Sequence, residues 1–146
     1  MIIADEPISM LDVSIKAGIL LLMDRIRKER KVCYLYITHD LISAYHIADR
    51  IVVLYQGRKM EEGLVDDVVG NPSHPYTRLL LESVPNHHRK SAVSVLQHSR
   101  PHLPHEGCPF SVRCPLVMEV CLTTFPDETH VSPGHQVSCY AVQGDA

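Results

Sequence analysis

The stretch Met1-Ile2-Ile3-Ala4-Asp5-Glu6-Pro7-Ile8-Ser9-Met10-Leu11-Asp12 decides the fold. Its first four residues read as a short buried strand that runs straight into acidic residues, which puts Asp5 and Glu6 at the C-terminal edge of a sheet. Ligands of parallel α/β sheets bind at that edge. Further on, Ile15, Ile19, Leu22 and Ile26 step by four, three and four residues, so one helical stripe is predicted from Val13 to about Lys28. Arg25, Arg27, Lys28, Glu29 and Arg30 make its solvated end.

Val32-Cys33-Tyr34-Leu35-Tyr36-Ile37 is a β-rich run of strand length, with Cys33 read as a small buried hydrophobe. Thr38-His39-Asp40 follows, then a helix to about Ala48 and a strand at Ile51-Val52-Val53-Leu54-Tyr55. Gln56-Gly57-Arg58 turns the chain into Lys59-Met60-Glu61-Glu62, so a parallel sheet gives way to a hairpin. Two short helices are predicted at Leu64 to Val69 and Tyr76 to Ser83, separated by the breaker Asn71-Pro72-Ser73-His74-Pro75.

The 146 residues, 45% of them hydrophobic, allow one modest core and a small appended module. A net charge of −3 supplies no general basic surface, which argues against nucleic acid as a partner. The longest apolar run, Ile19-Leu20-Leu21-Leu22-Met23, is far short of the roughly 20 residues of a membrane-spanning helix. The first residues lack the basic region of a signal peptide, and the chain is read as cytoplasmic, with reduced cysteines.

The chemistry gathers in three places. An aspartate and a glutamate closing a strand can divide the work of phosphate hydrolysis: Asp5 to hold a magnesium ion directly or through water, Glu6 to orient an attacking water. Six residues after Glu6, Asp12 follows Ser9-Met10-Leu11 and stands as the N-cap of the coming helix. Twenty-seven residues beyond it, His39 ends the next strand, where an imidazole can bond a terminal phosphate.

In this order and spacing the segments resemble the Walker B strand, D-loop and H-loop of ABC-transporter ATPases. The resemblance implies that Asp5 supports magnesium, Glu6 activates the hydrolytic water, Asp12 communicates across an ATPase dimer and His39 contacts the γ-phosphate of ATP. Ile8 and Met10 depart from the common Thr and Ala, and neither change removes a reacting group. No Gly-x-x-x-x-Gly-Lys-Ser/Thr loop and no Leu-Ser-Gly-Gly-Gln-like signature occurs in the 146 residues. The chain alone is therefore expected not to hydrolyse ATP. The alternative is a non-catalytic metal-binding or interaction fragment of a truncated or split gene.

Two later segments narrow the resemblance. Asn71-Pro72-Ser73-His74-Pro75-Tyr76-Thr77 is a proline-fixed entry into a helix. It is similar to the segment after the ATPase core in oligopeptide and dipeptide importers. Cys108, Cys114, Cys121 and Cys139 are separated by 5, 6 and 17 residues, and proline follows the first two. Four thiolates can enclose a metal. A disulfide framework suits a reducing compartment poorly, and structural zinc usually takes ligands in closer pairs. An iron-sulfur cluster accepts wider spacing and often has proline after a ligand. The segment from Gly107 to Pro115, with Gly134 to Cys139, looks like the cysteine tail of peptide-importer ATPases, which can hold a four-iron cluster. Such a cluster is the first choice, zinc the second and unligated thiols the third. Between lies a histidine-rich, proline-bearing arm whose His87, His88, His98, His102 and His105 are irregularly spaced and read as solvated.

The resulting expectation is an α/β chain: a truncated P-loop NTPase core of ABC type with parallel strands, then a small cysteine-rich tail. Residues 1–63 would be the end of the core, 64–85 a helical extension, 86–106 a linker and 107–146 the cysteine module. The resemblance further implies ATP-driven import of peptides or a related small solute, on the inner face of the cell membrane. A second ATPase subunit and membrane permease subunits would be direct partners, and a substrate-binding protein an indirect one.

Overall fold

The computed structural model describes residues 1–84 and 106–143, and the five arm histidines lie outside that range. The chain forms two compact units, Met1–Asp49 and Arg50–Ala146.

The first unit is a strand-helix-strand-helix run: β1 (Ile2–Asp5), α1 (Val13–Arg30), β2 (Tyr34–Ile37) and α2 (Leu41–Ile47). β1 and β2 pair in parallel, with Ile2 opposite Tyr34 and Asp5 opposite Ile37. Parallel neighbours need a long crossover, and the 18-residue α1 provides it. Arg27, Lys28 and Arg30 in its last turn complement the negative end of the helix dipole, and Lys31 closes it in a left-handed conformation. Arg27 also grips Asp49 through two bonds of 2.9 and 2.7 Å and Asp24 at 2.9 Å. Asp40 caps α2 by accepting from the Ile42 and Ser43 amides.

The buried residues of this unit are few, with Ile8, Met23, Ala44 and Ile47 the apolar ones. β1 is a strand but not a buried one: Ile2 is 44% and Ile3 63% exposed, as are Leu35 at 49% and Ile37 at 46% on β2. A parallel sheet is normally covered on both faces, and two strands with two helices do not supply two covering layers. Cys33, expected inside, is exposed, in phase with Leu35 and Ile37 on the uncovered side of the strand.

The second unit joins the hairpin to the cysteine-rich segment in one antiparallel sheet. Its strands are β3 (Arg50–Tyr55), β4 (Arg58–Leu64), β5 (Thr129–Ser132) and β6 (His135–Val137), in the order β3-β4-β6-β5. The turn between β3 and β4 takes positive φ at Gln56 (47°) and Gly57 (77°), the geometry of a two-residue hairpin matched to strand twist. Two helices follow, α3 (Val65–Gly70) and α4 (Pro75–Glu82), close to the predicted positions. After the arm come a 3-10 turn at Ser111–Arg113, α5 (Val120–Thr123) and, beyond the sheet, α6 (Tyr140–Gln143). Met60, Val68, Val137 and Phe110 are essentially inaccessible. Phe110 centres an aromatic group with Tyr55 and Tyr76, edge to face with Tyr55 at 5.5 Å.

Candidate functional site

At the end of β1 the chain turns sharply. Glu6 donates its backbone N–H to the Ile37 carbonyl at 2.9 Å, and its own carbonyl accepts from the Ser9 amide at 3.2 Å and the Ser9 hydroxyl at 3.0 Å. To meet both demands Glu6 adopts φ 47°, a left-handed conformation uncommon outside glycine. Ile8, 2% exposed, anchors the turn. The parallel register sets β2's last residue, Ile37, beside Asp5, and His39 follows two residues later.

That register brings two of the four sequence candidates into contact. The His39 Nδ1 lies 2.6 Å from Glu6 Oε1. With its proton on Nδ1 the imidazole donates to the carboxylate, and Nε2 stays available on a side chain that is 76% exposed. Asp5 flanks the pair at the same strand end and is exposed. Asp12 does occupy the N-cap of α1, but its carboxylate makes no capping bond; only its carbonyl accepts, from Ile15 and Lys16.

The second unit brings its four cysteines together. Cys108, Cys114, Cys121 and Cys139 are buried and free, and all four line one small cavity with His74, Ser111 and Ser138 among its other walls. Burial pushes the Cys108 and Cys114 thiols up to about 11 and raises Cys139 as well. Nearby backbone amides oppose that shift: those of Phe110 and Ser111 at Cys108, that of Leu116 at Cys114, and those of Ala141 and Val142 at Cys139.

The chain turns tightly after two of these cysteines, the Ser111 amide donating to the Cys108 carbonyl at 3.0 Å and the Val142 amide to the Cys139 carbonyl at 3.2 Å, and amides near a sulfur favour thiolate over thiol. Proline at Cys108-Pro109 and Cys114-Pro115 suits such turns by fixing φ at their second position. Gly107 lets the chain enter: a Cβ there would stand 2.5 Å from the Cys121 carbonyl oxygen, beside the 2.8 Å bond from the Cys108 amide to that same oxygen. Four cysteine sulfurs on one cavity are the donor type that thiolate-ligated centres use. Among the described residues the side chains as placed form no group of three or more His, Cys, Asp or Glu gathered around a single ion.

A buried polar network that sequence reasoning missed supports this cavity. Glu61, fully buried on β4, accepts from the Ser73 amide at 2.7 Å and the His74 amide at 3.0 Å, and its Oε1 lies 2.7 Å from His135 Nε2 on β6. The Asn71-to-Thr77 segment, the hairpin and the tail strand are thereby joined through one carboxylate. His74 in turn accepts the Tyr76 amide on Nδ1 at 3.0 Å, capping α4, and burial lowers its pKa to about 4, with Arg78 adding to the shift.

Comparison with known proteins fits these features. Residues 60–121 match the family described as oligopeptide/dipeptide transporter, C-terminal region. The oligopeptide transport ATP-binding protein AppF of Bacillus subtilis is 40% identical over 146 residues, covering 96% of this chain and 44% of that protein. The chain corresponds to the C-terminal part of an oligopeptide/dipeptide-type ABC ATP-binding subunit. Two further relatives are the dipeptide transport ATP-binding protein DppD of Bacillus subtilis (42% identical, 95% of this chain, 42% of that protein) and the oligopeptide transport ATP-binding protein OppF of Escherichia coli (38%, 97% and 44%). The chain spans less than half the length of the curated relatives it matches. Among the described residues no helix is long and apolar enough to cross a membrane.

Proposed function

We propose that this chain carries the water-activating half of an ATP site that powers peptide import. The observation that supports it is the hydrogen bond between His39 and Glu6 at the end of a parallel strand pair. In this reading Glu6 orients the attacking water and Asp5 supports the magnesium ion. His39, steered by Glu6, presents Nε2 to the γ-phosphate, and Asp12 faces the neighbouring ATPase. The phosphate cradle and signature are absent from residues 1–146, so binding energy for the phosphates must come from residues outside them. Partners on this reading are a second ATPase subunit and membrane permeases at the cytoplasmic face, with a substrate-binding protein selecting the solute. Purified chain should release no phosphate from MgATP alone and should gain activity when mixed with a polypeptide bearing the phosphate loop and signature. Activity of the chain alone that Glu6→Gln abolishes would overturn the proposal.

The second part of the proposal concerns the tail. Cys108, Cys114, Cys121 and Cys139 hold a metal centre, an iron-sulfur cluster of four irons ahead of zinc, and its role is to fix the tail against the hairpin. The four buried, free cysteines on one cavity support this reading. Protein made without oxygen should be brown, with broad absorbance at about 400 nm. Colourless protein with stoichiometric zinc would select the second choice.

A further inference from the structure

His74 and Ser111 line the cysteine cavity, with Ser138 and Tyr140 its other polar walls, and neither has a part in the metal-centre reading. Both are almost wholly buried, at 1% and 3% exposure. The Ser111 hydroxyl has no hydrogen-bond partner, and native interiors rarely leave a buried hydroxyl so. His74 is held from both sides. Its backbone amide is bound by Glu61, and its Nδ1 accepts the Tyr76 amide. A ring that accepts on Nδ1 carries its proton on Nε2, so its remaining polar group is a donor. The cavity therefore has four thiols on its walls and, among its polar side chains, one hydroxyl without a partner and one imidazole fixed in tautomer.

We infer that His74 Nε2–H and the Ser111 hydroxyl are positioning donors, which bond the sulfurs of an iron centre held by the four cysteines and so set its charge balance. This rests on the metal-centre reading of the tail. Sulfur carrying negative charge is the acceptor that the Ser111 hydroxyl lacks and one that the His74 Nε2–H on the same cavity wall can serve. Hydrogen bonds to cluster sulfurs favour the more negative, reduced state and so raise its potential. The histidine of the Asn71-to-Thr77 segment then has two tasks: its Nδ1 starts α4, and its Nε2 serves the tail.

The test uses the full chain loaded with ferrous iron and sulfide under argon, with iron counted and the potential titrated against redox dyes using dithionite. Ser111→Ala removes only the hydroxyl. His74→Asn removes the ring donor and keeps an acceptor suited to the helix N-cap. Both variants should load iron as the parent does and should be harder to reduce, each by about tenfold in the reduction equilibrium, roughly 59 mV for one electron. Equal loading with unchanged potentials in both would overturn the inference while leaving the metal centre standing. If the parent chain takes up no iron, the metal-centre reading fails and the inference falls with it. Should His74→Asn not fold, Ser111→Ala alone decides.

Discussion

His39 and Glu6, 33 residues apart in sequence, meet through a 2.6 Å bond from the imidazole Nδ1 to the carboxylate Oε1. The contact follows from the register of β1 on β2, which ends both strands at one edge and sets the loops after them side by side. A carboxylate that orients water and an imidazole oriented by that carboxylate form a unit. Its parts are expected to fail together when either is removed.

The buried carboxylate of Glu61 is the structural counterpart in the second unit. Glu61→Ala would leave the Ser73 and His74 amides and the His135 ring without their acceptor. A loss of about 3–5 kcal/mol is expected in urea unfolding. Glu61→Gln, which keeps one acceptor oxygen, should lose less. Equal stability of Glu61→Ala and the parent would contradict the network.

Gly107→Ala should open the cysteine cavity. The added methyl would meet the Cys121 carbonyl oxygen at 2.5 Å and the Leu122 carbonyl carbon at 2.6 Å, both backbone atoms that have little room to yield. In the metal-free parent, a thiol reagent near neutral pH should modify exposed Cys33 fast and the four buried thiols slowly. In the variant all five should react fast, with about 2–3 kcal/mol of stability lost. Retention of slow-reacting thiols would show that the entry at Gly107 is not needed.

His74 gives a pH dependence of definite sign. Its pKa falls from 6.5 in the unfolded chain to about 4 in the fold, chiefly through burial. The unfolded state therefore binds a proton that the folded state refuses. The contribution to stability is whole above pH 6.5 and is lost as pH falls toward about 4. The slope from this group is at most about 1.4 kcal/mol per pH unit. Urea midpoints of the parent should drop across that window, and His74→Asn should flatten the drop. An identical profile in the variant would assign the loss to other groups.

Much of this was legible in the sequence for reasons that are local. The strand-to-carboxylate junction at Ala4-Asp5-Glu6, the β-rich run before His39 and the Gln56-Gly57 turn each declare themselves within a few residues. The cysteine cavity could be anticipated from four cysteines in 32 residues, and the two Cys-Pro pairs carry turn chemistry. What could not be read depends on distant partners or on cover. Glu61 sits in Lys59-Met60-Glu61-Glu62, which looks like an ordinary polar strand, and its partner His135 is 74 residues away. Ile2 and Ile3 have the side chains of a buried strand, but apolar character does not say whether a second layer covers it. Cys33 fails for the same reason: it shares its phase with Leu35 and Ile37, which are exposed as well. The segment around His74 announced a helix entry, and only the fold brings its ring to the cysteines.

The most direct test of the central claim is phosphate release from MgATP by this chain mixed with a polypeptide that supplies the phosphate loop and signature. The same mixture is then assayed with Glu6→Gln and with His39→Ala. The account predicts measurable hydrolysis in the parent mixture and a fall of about 100-fold or more in each variant, with nucleotide still bound. A mixture that hydrolyses ATP equally well with Glu6→Gln and His39→Ala would contradict it.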